Sequence, residues 1–589
     1  MAFAAIAGTT IAASYLDAKY GITRDIKTIM TRNAKSKTVP QIIELGKKGY
    51  GSAYLLVEDA ARRWPNKEAL VFQNRSWTFA QCEQEVGKLA DWAQSQGLKQ
   101  KGKPKLIVVS EDLLHIMEMD DFKIPIVEFR FSNKASKNND DDNWNATTTR
   151  TKRLFLNELP KSDLNNFVRP NIKLHDAACY IYTSGTSGFP KAVEFLHLPF
   201  IYLEFTAPMR GISFDERRYC PLPLYHTSAL ALGLYPCWGV GATFIVGQKF
   251  SASKFWDECR TTNATSFQYI GEICRYLMLQ PPSINDKNHK IRLVHGNGIR
   301  SDIWQAFRER FGIEIIVEVY GQTEAGSVLI ENRNYGLFGL GAIGYRGPLL
   351  TLLDKSQVIV KFDFEKGIPY RDPKTGRCIL AKVDELGEMI YQVDPNISRG
   401  YLNIPLREDP RNLLDVFKKG DFWRRMGDLL VLDKDGWYRF VDRVGNTFRW
   451  KGENISSQEV EKKLSAYPHI IETIVYGVPL KTYDGQVGMA ALVLNPKDKN
   501  SIQKTMKELP RFLTSCGLPN FAIPRFIRLM DEMPTTVTYK YKTNQLRKEG
   551  IDRVLCGYDN LFILDHEQFI YMQLDENMYH KIKRGDAKL

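Results

Sequence analysis

Tyr182-Thr-Ser-Gly-Thr-Ser-Gly-Phe-Pro-Lys191 is the stretch on which the fold turns. It carries four hydroxyls between Thr183 and Ser187, the glycines Gly185 and Gly188, and one lysine. The apolar run Ala177-Ala-Cys-Tyr-Ile-Tyr182 precedes it and reads as a strand. A strand that ends in such a loop is built to hold phosphate. Glycines let backbone N–H groups approach an anion, hydroxyls donate further bonds, and a lysine balances charge. It differs from the Gly-Lys-Ser/Thr ending of a P-loop: Pro190 precedes the lysine and Ala192 follows it. A flexible polar linker is the bland alternative, but linkers seldom follow a buried strand or stop at Pro-Lys.

Outward from this loop, short apolar runs alternate with helical patterns. Residues 242–246, 266–270, 291–295 and 315–319 read as strands, and 253–259, 271–279 and 301–312 as helices between them. That alternation implies a largely parallel α/β sheet. Upstream, Tyr54–Arg63 reads as an amphipathic helix, 69–72 with 77–79 as a hairpin, and 79–94 as a second helix. Residues 340–440 suggest a smaller β-rich unit. Beyond Asp442, a helix over 457–466 opening on a serine cap, strands over 471–476 and 489–494, and a helix over 501–513 suit a compact α+β unit. The polar residues 131–150 are expected to form a disordered surface loop.

The 589 residues leave room for several domains, and 43% hydrophobic with 25% charged residues is ordinary for a globular chain. A net charge of +13 suits polyanionic small molecules, an anionic membrane surface or nucleic acid. The sequence lacks clustered basic residues interleaved with aromatics, so no nucleic-acid partner is expected. Nine scattered cysteines without a C-x-x-C imply reduced thiols and no cysteine metal site. Residues 1–50 form an N-terminal segment whose apolar part, Ala2–Leu16, falls short of the ~20 residues of a membrane span. It reads either as an interfacial anchor giving peripheral membrane association or as a fraying end. Ala587-Lys588-Leu589 is close to the Ser-Lys-Leu address of a peroxisomal import receptor, so a peroxisomal location is expected.

Further motifs come after the loop in order. Tyr320-Gly-Gln-Thr-Glu324 offers an aromatic face, a hydroxyl and a carboxylate. Gly427-Asp428 offers a carboxylate that can accept two ribose hydroxyls, and Asp442-Arg443 ends a strand. Thr538-Tyr-Lys-Tyr-Lys542 lies near the end of the last unit. Together with Gly296-Asn-Gly-Ile-Arg300, Phe448-Arg-Trp-Lys-Gly-Glu-Asn454 and Tyr269-Ile-Gly-Glu-Ile-Cys-Arg-Tyr-Leu277, these make the chain resemble the adenylate-forming superfamily. Within it, the very-long-chain acyl-CoA synthetase and fatty acid transport protein branch is the most similar. Any one motif is weak; six in order are specific.

The resemblance implies an α/β adenylate-forming ligase fold, with a large multi-subdomain N-terminal domain over 51–442 and a small mobile α+β domain over 443–589. It implies a fatty acid ligase that uses ATP, Mg2+ and coenzyme A. The fatty acid carboxylate attacks the α-phosphate, and the CoA thiolate then displaces AMP from the acyl-adenylate. By resemblance, Thr183, Ser184, Gly185, Thr186, Ser187, Gly188 and Lys191 grip the phosphates, and Gly296, Asn297 and Gly298 form the adenine-contacting turn. Tyr320 stacks on the base, Thr323 bonds phosphate, Glu324 holds Mg2+, and Asp428 and Arg443 serve the ribose. Lys540 bridges carboxylate and α-phosphate, although Lys542 lies on the same face. A hinge lies just after Arg443 near Gly445, and CoA enters past Trp450. His226 falls either near the acyl pocket or in a structural role; Tyr320 and Asp428 have core and turn readings of their own. A membrane uptake protein, a ligase for another carboxylate, and a poorly folded relative are the competing functions. In one respect the chain departs from the family. It passes from Gly97 to Leu106 almost at once, where relatives carry additional strands and helices, so either the first subdomain is abridged or the sequence derives from an imperfect gene model.

Overall fold

The computed structural model describes residues 51–95, 159–163, 172–183 and 191–589 except short gaps at 326, 337, 365, 395–398, 452, 481–482, 484, 496–500, 536–540, 558 and 588. It also describes Ile26, Met30, Thr38, residues 40–48, and the backbone alone of 107–110, 126–130 and 151–155. The N-terminal apolar run, the polar stretch 131–150, Ser184–Gly188 of the phosphate loop, and Lys540 lie outside the described residues.

The strand–helix alternation builds an eight-stranded sheet. Its centre is parallel: Ser266–Ile270 (β1) pairs with Leu293–Asn297 (β2), and β2 with Ile315–Gln322 (β3). Ser327–Asn334 closes one edge antiparallel to β3, and the hairpin of Glu68–Phe72 and Arg75–Thr78 closes the other. The interior strands are near-continuous apolar runs because helices cover both faces. One of these, Gly271–Leu279 (α1), starts at the end of β1; another, Ser301–Phe311, ends on Gly312 with φ 67°. The core beneath them holds Phe244, Phe267, Ile273, Leu277, Val294 and Phe307, each essentially inaccessible.

Three departures from the expected boundaries have simple causes. The strand placed at 291–295 runs from Leu293 to Asn297, because its ladder tracks β1 towards the nucleotide turn rather than its own apolar start. Phe79 begins a helix instead of ending the hairpin, and its ring is fully buried under that helix. The serine cap of the helix Ser457–Ser465 is Ser456, whose hydroxyl accepts from the Glu459 N–H.

The β-rich region is a seven-stranded sheet spanning Gly344 to Arg443, in which Phe422–Leu432 (β4) and Trp437–Arg443 (β5) are antiparallel neighbours. After β5 the chain enters a five-stranded sheet that starts with Ile470–Pro479 (β6) and Gln486–Leu494, covered by Ser501–Ser515 and Glu576–Arg584. Ile107–Ser110, Ile126–Arg130 and Thr151–Phe155 pair as a separate three-stranded parallel sheet. Among the described residues no helix is long and apolar enough to cross a membrane. All nine cysteines are free thiols, most of them buried.

Candidate active site

The phosphate loop is pinned at both ends. Ala177–Thr183 pairs antiparallel with Lys191–Leu196, and the final register pair is Thr183 with Lys191, which closes residues 184–190 between them. The second of these strands also pairs outward: the Leu402 N–H donates to the Ala192 carbonyl at 2.8 Å and the Glu194 N–H to the Gly400 carbonyl at 3.1 Å. That pairing brings Tyr401 beside the loop. The Lys191 ammonium lies 5.4 Å from the centre of the Tyr401 ring.

Tyr401 then links the loop to the expected metal carboxylate. Its hydroxyl donates to Glu324 Oε1 at 2.5 Å, and Arg411 donates to the same oxygen at 3.1 Å and to the Tyr401 hydroxyl. Arg411 also faces Asp409 at 3.6 Å, which Arg424 holds at 2.7 Å. Burial pushes the Glu324 carboxyl up, but Arg411 and the Tyr401 hydroxyl outweigh it and leave the group below its ordinary value, ionised. Thr323, the preceding residue, shares a 3.1 Å hydroxyl–hydroxyl bond with Thr227. Glu324 is an ionised carboxylate next to the Thr323 hydroxyl in the chain, with Tyr401 and Arg411 on its Oε1, and Mg2+ is commonly held by one or two carboxylates plus substrate phosphates, so the oxygen donors of Glu324 and Thr323 fit that ion. His226 caps the short helix that carries Thr227, its Nδ1 accepting from the Ser228 N–H at 3.2 Å. It is therefore tied locally, one residue from the Thr227–Thr323 pair.

The residues expected to serve the nucleoside come from two sheets. The Tyr320 hydroxyl donates to Asp428 Oδ2 at 2.9 Å, and both residues are buried. Asp428 faces Arg443 in register across β4 and β5, with Arg443 Nε 3.5 Å from Asp428 Oδ1. The Tyr320 ring joins the hydrophobic cluster while its hydroxyl orients the Asp428 carboxylate.

Gly296, Asn297 and Gly298 form the turn at the end of β2. Gly298 has φ 81°, and a Cβ on Gly271 would come within 1.7 Å of its carbonyl oxygen, so the turn and the start of α1 are in backbone contact. Glu318 holds the turn from beneath, accepting the Gly298 N–H and the Tyr269 hydroxyl, the latter at 2.6 Å. Burial pushes its carboxyl up to about 8, against the opposing pull of those two donors.

The sequence therefore located both members of the Tyr320–Asp428 and Asp428–Arg443 pairs but only Glu324 of the group around it. Tyr401, Arg411 and Glu318 were not singled out. A charged residue inside the apolar run Ile315-Ile-Val-Glu-Val319 was the available signal for Glu318; Tyr401 and Arg411 sit in a loop whose strand partner is two hundred residues upstream.

The architecture is that of the adenylate-forming CoA ligases: the anthranilate CoA ligase AuaEII, solved with anthranoyl-AMP, superposes with a TM-score of 0.65 at 18% identity, covering 84% of this chain and 96% of that one. The AMP-binding enzyme family matches residues 103–402 and its C-terminal domain residues 459–540, and the chain belongs to that family. It is 38% identical over 417 residues to the long-chain fatty acid transport protein 6 of Mus musculus, covering 71% of this chain. The match spans 65% of the mouse protein's length. It is 30% identical over 607 residues to the very long-chain fatty acid transport protein of Cochliobolus heterostrophus, covering 97% of this chain and 94% of that one.

Proposed function

We propose that the chain is an ATP-dependent ligase that activates long or very-long-chain fatty acids to acyl-CoA through an acyl-adenylate, releasing AMP and pyrophosphate. The observation that carries this is the convergence of the Thr183–Lys191 hairpin end, Glu324 and the Tyr320–Asp428–Arg443 constellation, drawn from three separate sheets. Asp428 would accept the ribose hydroxyls, oriented by Tyr320. The loop from Thr183 to Lys191 would neutralise the triphosphate, and Glu324 with Thr323 would hold Mg2+, which supplies charge neutralisation at the phosphates. Lys540 would bridge the acid and the α-phosphate. The relatives named as long-chain and very long-chain fatty acid transport proteins favour a long aliphatic acid over an aromatic one.

The domains belong to the same proposal: adenylation over 51–442, and a mobile unit over 443–589 that turns about the exposed Gly445, around which nothing crowds. CoA would enter past Trp450. Purified protein with ATP, Mg2+, CoA and a panel of carboxylic acids tests the proposal. Pyrophosphate and thioester should form, with the highest kcat/KM for long aliphatic acids. No product with any acid would end the proposal for this chain.

The relatives' names also support a second reading, in which the chain acts in uptake of fatty acid at a membrane. Uptake in cells that survives Lys540→Ala would favour it over ligation. A peroxisomal location rests on Ala587-Lys588-Leu589. Leu589 is buried in the C-terminal core and the Ala587 carbonyl accepts from the Tyr483 hydroxyl at 2.6 Å, so an import receptor would have to lift this segment off the domain.

A further inference from the structure

Tyr269-Ile-Gly-Glu-Ile-Cys-Arg-Tyr-Leu277 has no role in the chemistry described above, yet two of its side chains reach across to the C-terminal unit. Glu272 and Arg275 lie three residues apart on α1 and so share one face. Arg275 is 8% exposed, and its guanidinium divides between the two parts of the chain. Nε binds Glu272 at 2.7 Å. Nη1 donates to the Ile471 carbonyl on β6 at 3.1 Å. Nη2 donates to the Tyr541 hydroxyl at 2.6 Å and lies 3.4 Å from Glu472. The Tyr541 hydroxyl in turn lies 3.0 Å from Glu272 and 3.3 Å from Glu472.

Tyr541 is the covalent neighbour of Lys540. Thr535 and Tyr541 are bridged, and the Lys542 N–H donates to the Pro534 carbonyl at 2.8 Å. Lys542 is exposed at the start of the helix Thr543–Glu549. At its other end, α1 begins in backbone contact with the Gly296–Gly298 turn. One helix thus touches the Gly296–Gly298 turn with its first residue and Tyr541, next to Lys540 in the sequence, with its fifth.

We propose that Arg275, Glu272, Glu472 and Tyr541 form a latch that holds the C-terminal unit against α1 for adenylation and must open before thioester formation. Arg275 is a positioning residue in this scheme: it acts through Tyr541 and touches no reacting atom. The inference rests on the ligase reading. A planar guanidinium shared among Ile471, Glu472 and Tyr541 of the C-terminal unit is a discrete lock, because a rotated unit gives up all three together. Two-domain closure by such switchable contacts is a common way to complete a site.

The test compares Arg275→Met, Tyr541→Phe and the double variant in separated half-reactions. Oleate, ATP and Mg2+ without CoA report pyrophosphate release; synthetic oleoyl-adenylate with CoA reports thioester formation. Arg275→Met should slow pyrophosphate release by about ten- to a hundredfold through misplacement, with ATP affinity within about twofold of wild type. Thioester formation from the supplied adenylate should be unchanged or faster. Tyr541→Phe should act in the same direction, and the double variant should be no worse than Arg275→Met. Hydrogen exchange across 541–549 should accelerate in Arg275→Met. Equal loss in both half-reactions, or unchanged pyrophosphate release, would overturn the latch. If the wild type releases no pyrophosphate, the ligase reading fails instead. Hydrogen exchange then decides the docking alone, and unchanged exchange in Arg275→Met overturns it.

Discussion

Replacing Asp428 by alanine probes the nucleoside end most sharply. The carboxylate is buried, takes the Tyr320 hydroxyl on Oδ2 and faces Arg443 from Oδ1, so its oxygens are held in fixed directions. Two ribose hydroxyls donating to it are charge-assisted bonds worth about 1.5–3 kcal/mol each. Their joint loss is about 3–6 kcal/mol, or a hundredfold or more in affinity. Tyr320→Phe removes only the orienting donor and should weaken ATP about tenfold. Calorimetric titration with ATP and with 2′,3′-dideoxy-ATP separates these effects. Wild type should strongly prefer ATP, Tyr320→Phe should keep part of the preference, and Asp428→Ala should bind both nucleotides equally. An Asp428→Ala protein that still favours ATP by the wild-type ratio would show that the ribose is read elsewhere.

Glu318 gives a pH signature. Its carboxyl is raised from 4.5 to about 8 in the folded protein, so between those values the folded state keeps a proton that the unfolded chain releases, and stability falls as pH rises through that window. Glu318→Gln should flatten the pH dependence of the melting temperature between pH 5 and 8; parallel curves would refute the assignment. Arg411→Met leaves the buried Glu324 with one fewer cationic partner, so its carboxyl should move up and the protein should lose several degrees of melting temperature at pH 7, a loss that shrinks at pH 5. Iodoacetamide on the native protein should modify Cys516 first, because Cys220 and Cys237 are fully buried and burial raises both thiols to about 12.

Local patterns carried much of the architecture. Helices over Tyr54–Arg63 and Gly271–Leu279 and the strand Ser266–Ile270 run as their periodicity predicts, since each buries one continuous apolar face or run. Boundaries moved where tertiary pairing overrode local pattern, as in Leu293–Asn297. Tyr320, Asp428 and Arg443 were legible because each sits in a short local motif with distinctive neighbours, Tyr320-Gly-Gln-Thr-Glu324, Gly427-Asp428 and Asp442-Arg443. Tyr401 and Arg411 were not, because their role depends on residues 400–402 pairing with the strand after the phosphate loop, a long-range contact that no local motif encodes. Glu272 and Arg275 lay in a run whose resemblance was noted while its purpose was not. Helical spacing puts the two on one face, but only the docked C-terminal unit supplies Glu472 and Tyr541 opposite them.

The central claim is adenylation, and pyrophosphate release from purified protein supplied with ATP, Mg2+ and a long-chain fatty acid tests it most directly. Release should depend on the acid and fall at least a hundredfold in Lys540→Ala while ATP still binds. Acid-independent release, or full release by Lys540→Ala, would contradict it.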